Sequence, residues 1–149
     1  MNELKTLRVG ILGFGTVGQG TWKHLSENES AWERILGIRL VPTRASVRSL
    51  NKERTVSVAS NVLTVDSRSI VDDPDIDIIC ELIGGVEEAR ELTLRSFEQG
   101  KPVITANKAL ICEHGDEVFK AAEKAGVRYA FEAIVAGGIP IIKVLRESL

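Results

Sequence analysis

Apolar positions in this chain gather into short runs, and between the runs they recur every three to four residues. The first pattern marks strands buried on both faces and the second marks amphipathic helices, so strand and helix are predicted to alternate along the chain. Residues 7–13, with Leu7, Val9, Ile11 and Leu12, form the first predicted strand, closed by turn chemistry at Gly13. A helical stretch follows from about Thr16, carries Trp22 and Trp32, and ends at Gly37. Residues 38–47 make a second strand. Pro42 inside it requires an edge position or a bulge, because proline has no N–H for the ladder. Polar residues 51–60 read as a loop and 62–65 as a short third strand.

Asp72-Asp73-Pro74-Asp75 is a turn leading into a fourth strand at 76–83, closed by Gly84-Gly85. Val86, Ala89, Leu92, Thr93 and Phe97 then share one face of a helix, with Gly100 placed for a left-handed cap and Pro102 opening a strand at 103–105. Val118, Ala122 and Ala125 line a further helix ended by Gly126, followed by a strand at 127–133. Gly137-Gly138-Ile139-Pro140 opens a last helix that is still running at Leu149. Parallel βαβ units of this kind build an α/β, doubly wound parallel sheet. The unfinished apolar helix at 141–149 gives the expectation of a fragment of a larger two-domain protein.

Composition narrows the classes. A net charge of −2 with lysine and arginine spread along the chain supplies no concentrated basic patch, so no nucleic-acid or membrane partner is expected. The 5% aromatic content likewise argues against a base-stacking platform. Cys80 and Cys112 have neither metal-ligand nor redox spacing, and Cys80 reads as a small core hydrophobe in a reducing compartment. With no apolar leader and no run of membrane-spanning length, a cytoplasmic protein is expected.

The strongest chemical signal is Gly13-Phe14-Gly15-Thr16-Val17-Gly18, a G-x-G-x-x-G that follows a predicted strand and opens a predicted helix. The first glycine allows the turn, the second admits a pyrophosphate to the backbone, and the third permits close packing of helix on strand. The helix N-terminus then offers N–H groups and positive dipole to the phosphates. The six residues alone also fit a plain glycine turn; their place in a βαβ unit favours a Rossmann-type dinucleotide site.

The end of the second strand bears on NAD against NADP. It carries no acid for a ribose 2′-hydroxyl, but it does carry Arg48, Ser49, Lys52 and Arg54, which favours NADP; the alternative is a set of solvated loop cations. Asn107 and Lys108 lie just past a strand carboxyl end, where such folds place ligands. A lysine there suits proton movement during hydride transfer if burial lowers its pKa, and is otherwise an ordinary exposed lysine. Gly137-Gly138 is either a second anion-accepting helix N-terminus or a link to a following domain. Glu132 is an ion ligand, a network anchor or a solvated side chain. His24 and His114 have no evident partner and read as surface residues.

Four segments together resemble homoserine dehydrogenase: residues 9–18, Glu81-Leu82-Ile83-Gly84-Gly85, Thr105-Ala106-Asn107-Lys108-Ala109-Leu110, and residues 131–142. The first is shared by many dehydrogenases; the last two, in that order, are far more specific. The resemblance implies an NAD(P)-dependent oxidoreductase whose parent interconverts L-homoserine and L-aspartate 4-semialdehyde, on the route to threonine, methionine and isoleucine. It implies that Lys108 is one of two lysines near the reacting oxygen, that Asn107 lies beside the nicotinamide, and that Arg48 lies next to the 2′-phosphate. Ser49 stands where the family usually has an acid, a change that removes a repulsive charge and strengthens the NADP reading.

Glu132 with the carbonyls of Val135 and Gly137 matches a monovalent-cation site, such as one for sodium, and Phe131 and Ile134 depart from the family's usual Tyr and Ser or Thr. The implied layout is an NAD(P)-binding domain at 1–134 and, from 135 to 149, the start of a substrate and dimerisation domain. The parent is expected to be a homodimer. The fragment is expected to bind cofactor with little turnover, because the second lysine and the substrate region follow this stretch in the family. The competing readings are another two-domain NAD(P) oxidoreductase of amino-acid or sugar substrates, and a non-catalytic dinucleotide-sensing module. An FAD site is disfavoured, since flavoenzymes normally supply an acid at the second strand end.

Overall fold

The computed structural model describes residues 4–131. Among these residues six strands run in order, all parallel: β1 (Thr6–Leu12), β2 (Arg39–Ser46), β3 (Leu63–Thr64), β4 (Ile78–Glu81), β5 (Val103–Thr105) and β6 (Tyr129–Ala130). Their order across the sheet is β3-β2-β1-β4-β5-β6. The chain therefore starts in the middle, winds outward to β3, returns to the other side of β1 and winds outward again. The expected doubly wound sheet is present, and its reversal of direction lies between β1 and β4, the place where such sheets open a ligand crevice.

Alternation along each strand sends successive side chains to opposite faces. On one face Leu12, Ile79, Val103 and Tyr129 pack against helices α3 (Arg68–Val71), α4 (Glu87–Glu98) and α5 (Lys108–Ala125). On the other, Val9, Ile11, Ala45 and Cys80 pack against Trp22 of α1 (Thr16–Glu27). The Cys80 thiol is a core group, and burial pushes its pKa up to about 11.

Several boundaries differ from the sequence pattern, each for a local reason. The helical stretch after Thr16 is two helices, α1 and α2 (Glu29–Leu36), broken at Asn28 (φ −114°, ψ 21°), whose side-chain amide donates to the His24 carbonyl at 2.9 Å. His24, expected to be unpartnered, sets its ring edge-on to Trp32 at 5.3 Å, and His114, likewise, lies 3.7 Å from Glu117. The β1–β2 register slips between Val9–Pro42 and Gly10–Arg44, so Pro42 sits at a bulge, one of the two solutions its missing N–H demands. The third strand shrinks to two residues behind a 3₁₀ turn at Ser60–Val62, and the fourth is trimmed at both ends. The short helix α3 went unpredicted, since four residues are too few to show a period. Ala125 was placed on the buried face of its helix but is exposed, one residue before the Gly126 cap. The last helix and the end of the 127–133 strand lie outside the described residues. No helix among the described residues is long and apolar enough to cross a membrane.

Candidate dinucleotide site

A cleft of about 460 Å³ opens at the carboxyl ends of β1, β2 and β4, within the size range of small-molecule sites. Its floor is the glycine loop. Gly13 holds φ +94°, and a Cβ there would lie 2.7 Å from the Leu82 carbonyl oxygen, so only glycine fits the turn. Phe14 anchors the loop: its N–H donates to the Ser46 carbonyl at 2.8 Å, while its buried ring stands edge-on to Trp22 at 5.7 Å. The Gly13 N–H donates to the Ser46 hydroxyl at 3.1 Å. The loop is thus tied to the end of β2.

Gly18 lies one turn into α1, where a Cβ would be 2.1 Å from the Gly13 carbonyl oxygen. Gly15, by contrast, would meet nothing within 4 Å. It is the N-cap of α1, with no side-chain cap bond to the first-turn N–H groups, and Thr16 and Val17 beside it are exposed. An open, uncapped helix start facing empty space is what a phosphate group requires. The residues present fit a dinucleotide.

Arg48, Ser49, Lys52 and Arg54 line the β2 side of this cleft. The side chains of Arg48 and Lys52 make no hydrogen bond or ion pair with other described residues. Arg54 differs: its guanidinium donates to the carbonyls of Ser49, Leu50 and Lys52. It was grouped with the loop cations from sequence, and the structure shows it engaged with its own loop. The cleft also includes Leu82, Ile83 and Gly84, from one of the segments that carry the resemblance, together with Ser67 and Glu88, to which the sequence pattern gives no role.

Asn107 and Lys108 are not in the lining; they open α5 one strand further on. Asn107 is buried and joins the two places. Its side-chain amide donates to the carbonyls of Gly85 at 2.7 Å and Ile83 at 3.3 Å, and its oxygen caps α5 by accepting from the Leu110 N–H at 3.1 Å. Lys108 is exposed, so burial by the described residues does not supply the condition attached to its proton-moving role. Among the described residues no group of His, Cys, Asp and Glu is placed to hold a metal ion. Glu132, Val135 and Gly137, the candidate cation ligands, lie outside the described residues, as do Gly138 and Ile134.

Sequence reasoning gave Glu81 no role, although it stands in a segment that carried the resemblance. The carboxylate is fully buried at the end of β4. One oxygen accepts from the Ile83 N–H at 2.9 Å and the other from the Thr105 hydroxyl at 2.6 Å, while that hydroxyl accepts from the Asn107 N–H at 2.9 Å. Glu81 thereby links the loop lining the cleft to the segment bearing Asn107 and Lys108. Burial raises its pKa from the usual 4.5, against the hydrogen bonds from Thr105, the Ile83 N–H and Asn107.

A raised folded-state value means that the native protein keeps a proton which the unfolded chain releases, so stability falls as pH rises from about 4.5 through the folded pKa. Glu81→Gln removes this titration. Denaturant melts across a pH series should show the variant gaining on the parent as pH rises through that window; parallel curves would contradict the assignment.

Residues 13–132 match the family described as homoserine dehydrogenase, NAD binding domain. The chain belongs to that family. A homoserine dehydrogenase from Synechocystis is 45% identical over 97% of this chain, and one from Pseudomonas aeruginosa is 44% identical over 98%. The crystal structure of a Thiobacillus denitrificans homoserine dehydrogenase superposes with a TM-score of 0.90 at 48% identity over the whole chain. A hyperthermophilic archaeal homoserine dehydrogenase solved in complex with NADPH gives 0.71 at 25% identity over 94% of it. The chain spans about a third of the length of the curated relatives, 33% of each of these two. The family bears out the resemblance and a nicotinamide dinucleotide as the cofactor.

Proposed function

We propose that this domain holds NADP(H) in the cleft at the sheet's switch point and serves a homoserine dehydrogenase that interconverts L-homoserine and L-aspartate 4-semialdehyde. The observation that carries the cofactor choice is the β2 end: two cations, Arg48 and Lys52, whose side chains have no partner among the described residues, beside Ser49 and with no carboxylate at the strand terminus. The pyrophosphate is assigned to the first turn of α1, at Gly15, Thr16 and Val17, with Gly13, Phe14 and Gly18 shaping the loop beneath it. The 2′-phosphate is assigned to Arg48, Ser49 and Lys52. The nicotinamide end is assigned to the side of Asn107, which is hydrogen-bonded to the cleft wall through Ile83 and Gly85.

When bound, the nicotinamide supplies the hydride acceptor for the substrate carbinol carbon. Lys108 is the candidate catalytic group: it takes the hydroxyl proton as the alcohol becomes an aldehyde and returns it in the reverse direction. Its exposure here accords with a substrate side closed by a further part of the protein. We place the domain boundary near residue 134 and assign 135–149 to the start of the substrate and dimerisation domain. We assign Glu132, Val135 and Gly137 to a monovalent-cation site. A cytoplasmic homodimer is the proposed state of the parent.

A calorimetric titration of this chain with NADPH and NADH tests the cofactor assignment. NADPH should bind more tightly, and Arg48→Ala should weaken NADPH about tenfold or more, the value of a charge-assisted contact, while leaving NADH nearly unchanged. Equal losses for both nucleotides would remove Arg48 from the 2′-phosphate.

A further inference from the structure

The loop that follows β2 is tied at both ends and at its centre. The Val47 N–H donates to the Thr64 carbonyl at 2.8 Å. At the far end, the Gln19 side-chain oxygen on α1 accepts three donors: the Thr55 N–H at 2.8 Å, the Thr55 hydroxyl at 3.0 Å and the Val56 N–H at 3.1 Å. Between them the Arg54 guanidinium gathers the carbonyls of Lys52 at 2.7 Å, Leu50 at 3.2 Å and Ser49. One of these carbonyls is that of Lys52 itself and another is that of Ser49, next to Arg48, while the side chains of Arg48 and Lys52 line the cleft with no partner among the described residues.

We propose that Arg54 is a specificity-determining positioning residue, folding the 49–54 loop around its guanidinium so that Arg48 and Lys52 are presented to the 2′-phosphate, while Gln19 fastens the loop to the helix that takes the pyrophosphate. This rests on the cofactor assignment above. A loop ordered before binding loses less entropy when the ligand arrives, and the gain accrues only to a ligand that touches the loop. NADPH does so through its 2′-phosphate, a contact that NADH cannot make.

Charge and shape are separable at this position. Lysine keeps the charge, but its single ammonium cannot reproduce a planar fork spanning three carbonyls. The test is calorimetric titration of the chain and of Arg54→Lys, Arg54→Leu and Gln19→Ala with NADPH and with NADH at one salt concentration. Both Arg54 variants and Gln19→Ala should weaken NADPH by about tenfold and NADH by less than about twofold, collapsing the ratio between them. Arg54→Lys retaining the parent's ratio while Arg54→Leu loses it would mean that Arg54 acts by charge alone, and would overturn the proposal. Retention of the ratio in all three variants would do the same. A parent chain with no preference for NADPH would instead overturn the cofactor assignment and the proposal with it, a result visible before any variant is made.

Discussion

Gly18→Ala should abolish dinucleotide binding and lower stability by about 3 kcal/mol, the upper end of overpacking costs. The new methyl would sit 2.1 Å from the Gly13 carbonyl oxygen and 3.4 Å from the Ile11 side chain. Neither the carbonyl nor the helix can yield independently, because the loop is held to β2 by the Phe14 and Gly13 N–H bonds and the helix is held to the sheet by Trp22. Relief requires α1 to lift from β1, which moves the first-turn N–H groups away from the cleft. Gly15→Ala is the informative contrast. Its methyl meets nothing within 4 Å and its φ of −83° suits alanine, so stability should hardly change. The methyl would nevertheless occupy the space assigned to the phosphates, and NADPH binding should fall as well. Thermal melts and titrations of the two variants separate glycine needed for folding from glycine needed for ligand. Equal stability of Gly18→Ala and the parent would contradict the packing argument.

The second large effect concerns Lys108. In a full-length homoserine dehydrogenase carrying this domain, Lys108→Ala should lower kcat by about 10²- to 10⁴-fold, the usual contribution of a positioned proton-transfer group. The dissociation constant for NADPH should stay within about twofold, because Lys108 lies outside the cleft lining. Lost turnover with retained binding is the pattern of an enzyme; unchanged turnover would remove Lys108 from the chemistry. The isolated chain should show little homoserine oxidation, and substantial turnover by it would overturn the assignment of the substrate side to a further domain.

Most of the sheet was legible because its strands are apolar on both faces and their boundaries carry glycine, proline or aspartate. The glycine loop was legible for the same reason: its spacing reports close approaches that the structure places at 2.7 Å for Gly13 and 2.1 Å for Gly18. What escaped was set by contacts distant in sequence. Glu81 looks like a polar interruption in an apolar strand, and only its pairing with Thr105, 24 residues on, makes it a link between two loops. Arg54 is indistinguishable from Arg48 by composition, yet one is engaged with three carbonyls and the other has no side-chain partner among the described residues. The break at Asn28 was hidden because the residues on both sides of it are good helix formers and the interruption spans a single residue.

The central claim is that the dinucleotide lies across the β1–β4 switch point with its pyrophosphate on the start of α1. The most direct measurement is an NMR titration of the uniformly ¹⁵N-labelled chain with NADPH, following backbone amides. The largest shifts are expected at Gly13, Gly15, Thr16 and Val17, with further shifts at Arg48, Ser49 and Lys52, and at Ile83 and Gly84. The turn at Asp73 and Asp75, which leads into β4 at the amino ends of the strands and away from the cleft, should remain still. Shifts centred on that turn, or none in the glycine loop at saturating NADPH, would contradict the account.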